Sequence, residues 1–108
     1  MKTFSKEIEF STNKAREVID LTSEVMSAVN ESDIESGILV AQLPHATSML
    51  VLNESEAGVK EDLLDKLDDF AAPQEGYRHD RIDDNAHAHI KAALVGSSRV
   101  LPIVDGKL

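Results

Sequence analysis

An α+β fold is predicted for this chain of 108 residues by three observations. Short runs of strand character recur along it, namely FSKEIEF with its evenly spaced apolar residues, GILVAQL, ATSMLVLNE and SSRVLPIV. The segment EAGVKEDLLDKLDDF places apolar residues three and four apart, the period of an amphipathic helix. Two shorter stretches, TSEVMSAVN and NAHAHIKAALVG, also suit helices, which makes about three.

The elements follow in order. Phe4, Ile8 and Phe10 share one face of a first strand, STNK turns the chain, and Val18, Ile19 and Leu21 suggest a returning strand, so the opening reads as a hairpin. Thr22 is placed to cap a short helix with Val25, Met26 and Val29 on one side, ending in NESDIESG. Gly37 opens the next strand. Pro44 cannot donate a ladder hydrogen bond and implies an edge or a bulge just before His45. ATSMLVLNE then reads as a strand close enough to pair with its predecessor. Ser55 is positioned to cap the long helix, whose inner face carries Val59, Leu63, Leu64, Leu67 and Phe70. Its outer acids Asp62, Asp65, Asp68 and Asp69 read as solvated charge.

AAPQEGYRHDRIDDN has Pro, Gly, many charges and no period, a loop of about fifteen residues, and loops that long are usually functional or mobile. A third helix follows, with Asp84 or Asn85 as N-cap, Ala86, Ile90, Ala93 and Leu94 facing inward and Gly96 as its stop. A strand from Ala86 to Leu94 is the competing assignment. SSRVLPIV is a strand, and Asp105-Gly106 is a strong hairpin-turn signal although only Lys107 and Leu108 come after it.

Composition narrows function. A formal charge of -9, from 20 acidic against 11 basic residues, repels phosphate backbones and anionic membrane surfaces, so neither nucleic acid nor membrane is expected as a partner. No stretch is apolar and long enough to span a bilayer. Cysteine is absent, which removes disulfides and thiolate ligands and fits a cytoplasmic, soluble protein. The length and the 42% apolar content fit one domain over residues 1–108.

The chemistry concentrates in YRHDRIDDNAHAHIKAALVGSS. Three of the four histidines, His79, His87 and His89, are interleaved there with Asp80, Asp83 and Asp84. Imidazoles and carboxylates converge where a site holds a divalent cation or relays protons. On a helix His87 and His89 lie about 200° apart, because each residue turns roughly 100°, so only one can face a given pocket. His87 is expected near the first turn, where the positive helix end favours an anion such as phosphate, and His89 is expected to be packed or at a subunit contact. His45 can complete a three-histidine set with His79 and His87. Glu54, after Asn53, can serve as base or ligand, and Ser97-Ser98 can bind phosphate. The plainer reading is an exposed acidic loop with structural histidines, since no spacing matches a zinc motif.

These residues carry a family resemblance. PHATSMLVLNE, GVKEDLLDKLDD, YRHDRIDDNAHAHIKAALVGSS and VLPIVDGKL resemble the YjbQ or UPF0047 proteins, described as secondary thiamine-phosphate synthases, over Phe4 to Leu108. The resemblance implies a curved, largely antiparallel sheet or sandwich with the helices on it, a homotrimer, and a polar cluster near a subunit boundary. It matches His45, Asn53, Glu54, His79, Asp80, Asn85, His87 and His89 to the motif positions. The family's HTT appears here as His45-Ala46-Thr47. Family members also continue past the equivalent of Leu108 with strands carrying Gly-Thr-Trp-Gln and Asp-Gly-Pro-Arg, so the domain is expected to lack its last strands.

The implied reaction couples hydroxymethylpyrimidine diphosphate to a thiazole phosphate and releases pyrophosphate. In that scheme His45, His79 and His87 hold a divalent metal, zinc or magnesium, or the diphosphate itself. Glu54, Asp80 and His89 form the catalytic set, and Asn53, Asn85, Ser97 and Ser98 bind the small phosphorylated substrate. Two other classes use the same residues: a metal-dependent hydrolase, and a trimer that binds a ligand or metal without catalysis.

Overall fold

The computed structural model describes residues 1–108. It is α+β, with three α-helices, α1 (Thr22–Ser32), α2 (Ala57–Phe70) and α3 (Ala86–Val95), and two strands, β1 (Ser36–Gln42) and β2 (Ser98–Val104). The strands pair in one sheet. Leu43 N–H donates to Ser97 O at 2.9 Å and Gly106 N–H to Glu35 O at 2.9 Å, so the residue numbers rise in one strand as they fall in the other and the pairing is antiparallel. The chain resolves into two compact units, Met1–Val40 with Val100–Leu108, and Ala41–Arg99.

In the first unit, residues 1–20 contain no strand, which corrects the expected opening hairpin. The chain bends at residues 14–16, where the Glu17 carboxylate accepts from Asn13 and Lys14 N–H at 2.9 and 3.3 Å. Even spacing marks a face that would be buried but supplies no partner, and Phe4, Phe10 and Val18 stay exposed. Lys6 reaches Glu31 of α1 at 2.5 Å.

Helix α1 begins one residue earlier than the sequence suggests. Leu21 is its N-cap and makes no side-chain cap bond, while the expected cap Thr22 donates its N–H and hydroxyl to Asp20 Oδ1 at 2.9 and 2.6 Å. Val29 is buried, but Met26, expected inward, is exposed. Buried Ser32 donates to Val29 O at 2.6 Å and accepts from Ile34 N–H at 3.1 Å, and Asp33 at φ 55° ends the helix.

Along the sheet, Leu39, Ala41, Leu101 and Ile103 are turned away from solvent and alternate with exposed Ile38, Val40, Val100 and Val104. Asp105 at φ 52° and Gly106 at φ 75° form the tight turn that their sequence announces, closed by a bridge between Val104 and Lys107.

In the second unit, residues 46–54 contain no strand, correcting the one expected over ATSMLVLNE. The segment is tied instead by Leu50 N–H to Gly96 O at 3.0 Å. Pro44 follows the last residue of β1 by two, consistent with a position outside a ladder. Helix α2 is capped by Glu56 rather than Ser55. Its two carboxylate oxygens accept from Gly58 and Val59 N–H at 2.8 and 2.7 Å, holding the Glu56 carboxyl below the usual range. Val59, Leu63, Leu64 and Leu67 form its half-buried face as expected, whereas Phe70 is exposed.

Helix α3 has the expected N-cap, Asn85, and the expected stop, Gly96, whose φ of 91° suits glycine. Its inner face differs from the expected one. Ala86, Lys91 and Ala92 are buried, and Leu94 is exposed. Alanine at 86, 88, 92 and 93 and polar residues at 87, 89 and 91 leave no clear apolar stripe, so periodicity does not choose a face. An ion pair from Lys91 to Asp68 of α2 does, which also removes Asp68 from the set of solvent-facing acids.

Candidate functional site

The long loop between α2 and α3 is ordered by its own contacts. The Tyr77 hydroxyl lies 2.8 Å from Ala72 O and 3.1 Å from Glu75 Oε2, so its single proton is held between two acceptors. Burial foremost, then Glu75 and Asp80, push its phenol above the ordinary value. A 3₁₀ turn, Arg78–Arg81, follows and packs against α3. Ile82 and Asp83 N–H both donate to His79 O, at 2.9 and 3.1 Å, which curls the chain back toward the helix.

That curl brings together two histidines ten residues apart in sequence. The rings of His79 and His89 meet edge to face, with centroids 4.8 Å apart and planes at 74°. His79 Nε2 lies 2.9 Å from Asn85 Oδ1. An amide oxygen only accepts, so Nε2 donates and the neutral ring keeps its lone pair on Nδ1. Asp83 completes the cluster. Its carboxyl is held below the usual range mainly by Asp84 N–H, 2.8 Å from Oδ1, then by the Asp84 side chain, with the charges of His79 and His89 adding.

His87 lies on another side of α3, as the helical angle requires. Its Nδ1 is buried with no hydrogen-bond partner, and so is Asp80 Oδ1. The pairing of His79 with His89, rather than with His87, corrects the expectation that His87 is the helix histidine joined to His79. Asp83 is the residue that site selection from sequence passed over, although it stands inside the interleaved stretch.

The remaining expected residues lie elsewhere. His45 is exposed in the turn after β1. Its loop is held at both sides by Gly96 and Ser97 carbonyls, at the C-terminal end of α3. Gly96 is about 10 Å beyond His89 along the axis, at 1.5 Å per residue. The expected metal set of His45, His79 and His87 therefore does not assemble within the chain. More generally, no three His, Asp or Glu side chains gather so as to hold a metal ion. Asn53 and Glu54 are exposed, and Asn53 Oδ1 accepts from Glu54 N–H at 2.7 Å. Ser98 is exposed beside Arg99, whose Nη1 and Nη2 donate to Ser98 O and Val95 O at 2.9 and 2.8 Å, placing a cation at the negative end of α3.

Comparison with known proteins follows the same residues. The family model of the YjbQ-like UPF0047 proteins matches residues 6–108. The chain belongs to the UPF0047 family. An Archaeoglobus fulgidus UPF0047 protein is 42% identical over 94% of this chain and 79% of its own length. The Bacillus subtilis UPF0047 protein YugU is 33% identical over 95% of this chain and 78% of its own length. A crystal structure of a YbjQ-like protein of unknown function from Sulfolobus solfataricus superposes with a TM-score of 0.90, at 41% identity, over 92% of this chain and 72% of that one. A Clostridium acetobutylicum UPF0047 structure gives 0.86 at 38% identity, over 92% and 76%. All of the histidine cluster lies inside the UPF0047 match. No helix is long and apolar enough to cross a membrane.

Proposed function

We propose that this UPF0047 chain is a transferase resembling thiamine-phosphate synthase, which holds the diphosphate of a pyrimidine substrate at His79 and His89. The observation that carries the proposal is the edge-to-face contact of the two imidazoles beside Asn85, at the start of α3. Two imidazoles side by side can supply N–H donors, and positive charge when protonated, to a leaving diphosphate.

In the reaction the carbon–oxygen bond to the diphosphate breaks as the thiazole nitrogen bonds the same methylene carbon, and pyrophosphate leaves with the electron pair. Stabilising that departing charge is the task assigned to His79 and His89. Asp80, with one buried oxygen lacking a partner, is the nearby carboxylate available to take or orient a proton. Assembly as a homotrimer belongs to the proposal, supported by the apolar outer face of the sheet, where Ile38, Val40, Val100 and Val104 are exposed together.

The test is incubation of the purified chain with hydroxymethylpyrimidine diphosphate and thiazole phosphate, following pyrophosphate release and the coupled product. Turnover that falls about a hundredfold in His79→Ala and in His89→Ala is expected. No product with the intact chain, or turnover indifferent to both substitutions, overturns the proposal. Native mass spectrometry checks the assembly: three copies are expected, and a monomer at micromolar concentration rejects the trimer.

A further inference from the structure

We infer that Asn85 is a positioning residue for His79, holding its Nε2–H so that Nδ1 is the nitrogen that takes up a proton and donates it to the ligand. The inference deepens the reading that His79 holds the diphosphate and rests on it for the identity of the ligand.

Three observations carry it. Asn85 stands at the N-cap of α3, where asparagine ordinarily turns its side-chain oxygen onto the N–H of the second or third helical residue. Here it makes no such bond, and its backbone departs from the extended conformation usual for a cap, at φ -113° and ψ 19°. The helix is started by the backbone alone, with Asn85 O accepting from Ala88 and His89 N–H at 3.0 and 3.2 Å. The side chain thus withheld from capping is spent on His79 Nε2, at 2.9 Å. The His89 ring meets the same imidazole edge to face, with centroids 4.8 Å apart. A histidine whose second nitrogen is fixed in this way presents its first in one protonation pattern, the logic by which an outer partner orients a working imidazole.

A capping role and a positioning role can be separated by side-chain length. Serine caps a helix about as well as asparagine, but its oxygen stops one bond short of His79. Aspartate keeps the acceptor at its original reach. The experiment is nitrogen NMR of the histidine-labelled full-length chain, above the pH at which the rings are neutral, for the wild type, Asn85→Ser and Asn85→Asp. A exchange-protected proton on His79 Nε2 is expected in the wild type and in Asn85→Asp. In Asn85→Ser the helix and Tm should be retained while that protection is lost and part of the ring population shifts its proton to Nδ1. Inorganic pyrophosphate, added as the probe at a pH where the rings are protonated, should move the His79 resonances of the wild type, with affinity about tenfold weaker in Asn85→Ser.

A wild-type proton on Nδ1, or an Nε2 proton equally protected in Asn85→Ser, overturns the inference. If the ring protons behave as expected while pyrophosphate leaves His79 unmoved, the hold of Asn85 on His79 is supported and the diphosphate reading fails.

Discussion

Lys91 of α3 donates from Nζ to Asp68 Oδ1 of α2, and only 9% of the lysine side chain and 25% of the aspartate side chain remain exposed. The pair joins the two helices that flank the histidine loop, and it decides which side of the alanine-rich α3 faces inward. Removing one partner strands the other charge where water reaches it poorly, a loss of about 3–5 kcal/mol. Lys91→Met and Asp68→Asn are each expected to lower Tm by on the order of 15 °C. The double substitution should recover part of that loss. Thermal melts of the three variants check this, and additive losses would show that the pair does not act as a unit.

The cap of α2 offers a sharper contrast. Glu56 Oε1 and Oε2 engage two N–H groups, and Gly58 leaves room for them, since a Cβ there would sit 3.1 Å from each oxygen. Glu56→Ala should lower Tm by several degrees, while Ser55→Ala should leave it unchanged. Equal effects of the two substitutions would return the capping role to Ser55.

Acid stability should depend on the same carboxylate and on Asp83. Both have folded-state values below the ordinary range, Glu56 because of Gly58 and Val59 N–H, Asp83 chiefly because of Asp84 N–H. Protons therefore bind these groups more readily in the unfolded chain. The stability they contribute is complete above the unfolded carboxylate range, about pH 4, and is lost as pH falls through the folded values. Tm should hold from pH 7 to 5 and fall below about pH 4, with a shallower acid fall in the Glu56→Gln, Asp83→Asn double variant. An unchanged acid limb in that variant would refute the assignment.

Gly106 has φ 75°, and a Cβ there would lie 4.0 Å from Ile34 O, an ordinary contact. Substitution is thus opposed by backbone strain rather than by a clash. Gly106→Ala is expected to cost about 1–2 kcal/mol in denaturant unfolding. A neutral result would mean the turn relaxes without its left-handed geometry.

What the sequence determined by itself is local. The period of α2, the stop at Gly96, the strand runs GILVAQL and SSRVLPIV and the Asp105-Gly106 turn are each written within a few neighbouring residues, and each forms where expected. The family motif also lies in consecutive residues, so membership is legible as a resemblance in the sequence itself. Tertiary structure decided whatever depends on a distant partner. The strands expected at residues 4–10, 16–21 and 46–54 had a pattern but no ladder. The face of α3 was set by Asp68, twenty-three residues away. His79 met His89 rather than His87 because the 3₁₀ turn folds the loop back onto α3, while the loop of His45 is tied to the helix's other end. Periodicity records which residues share a face of their own element, and convergence of side chains depends on how separate elements pack, which no local pattern encodes.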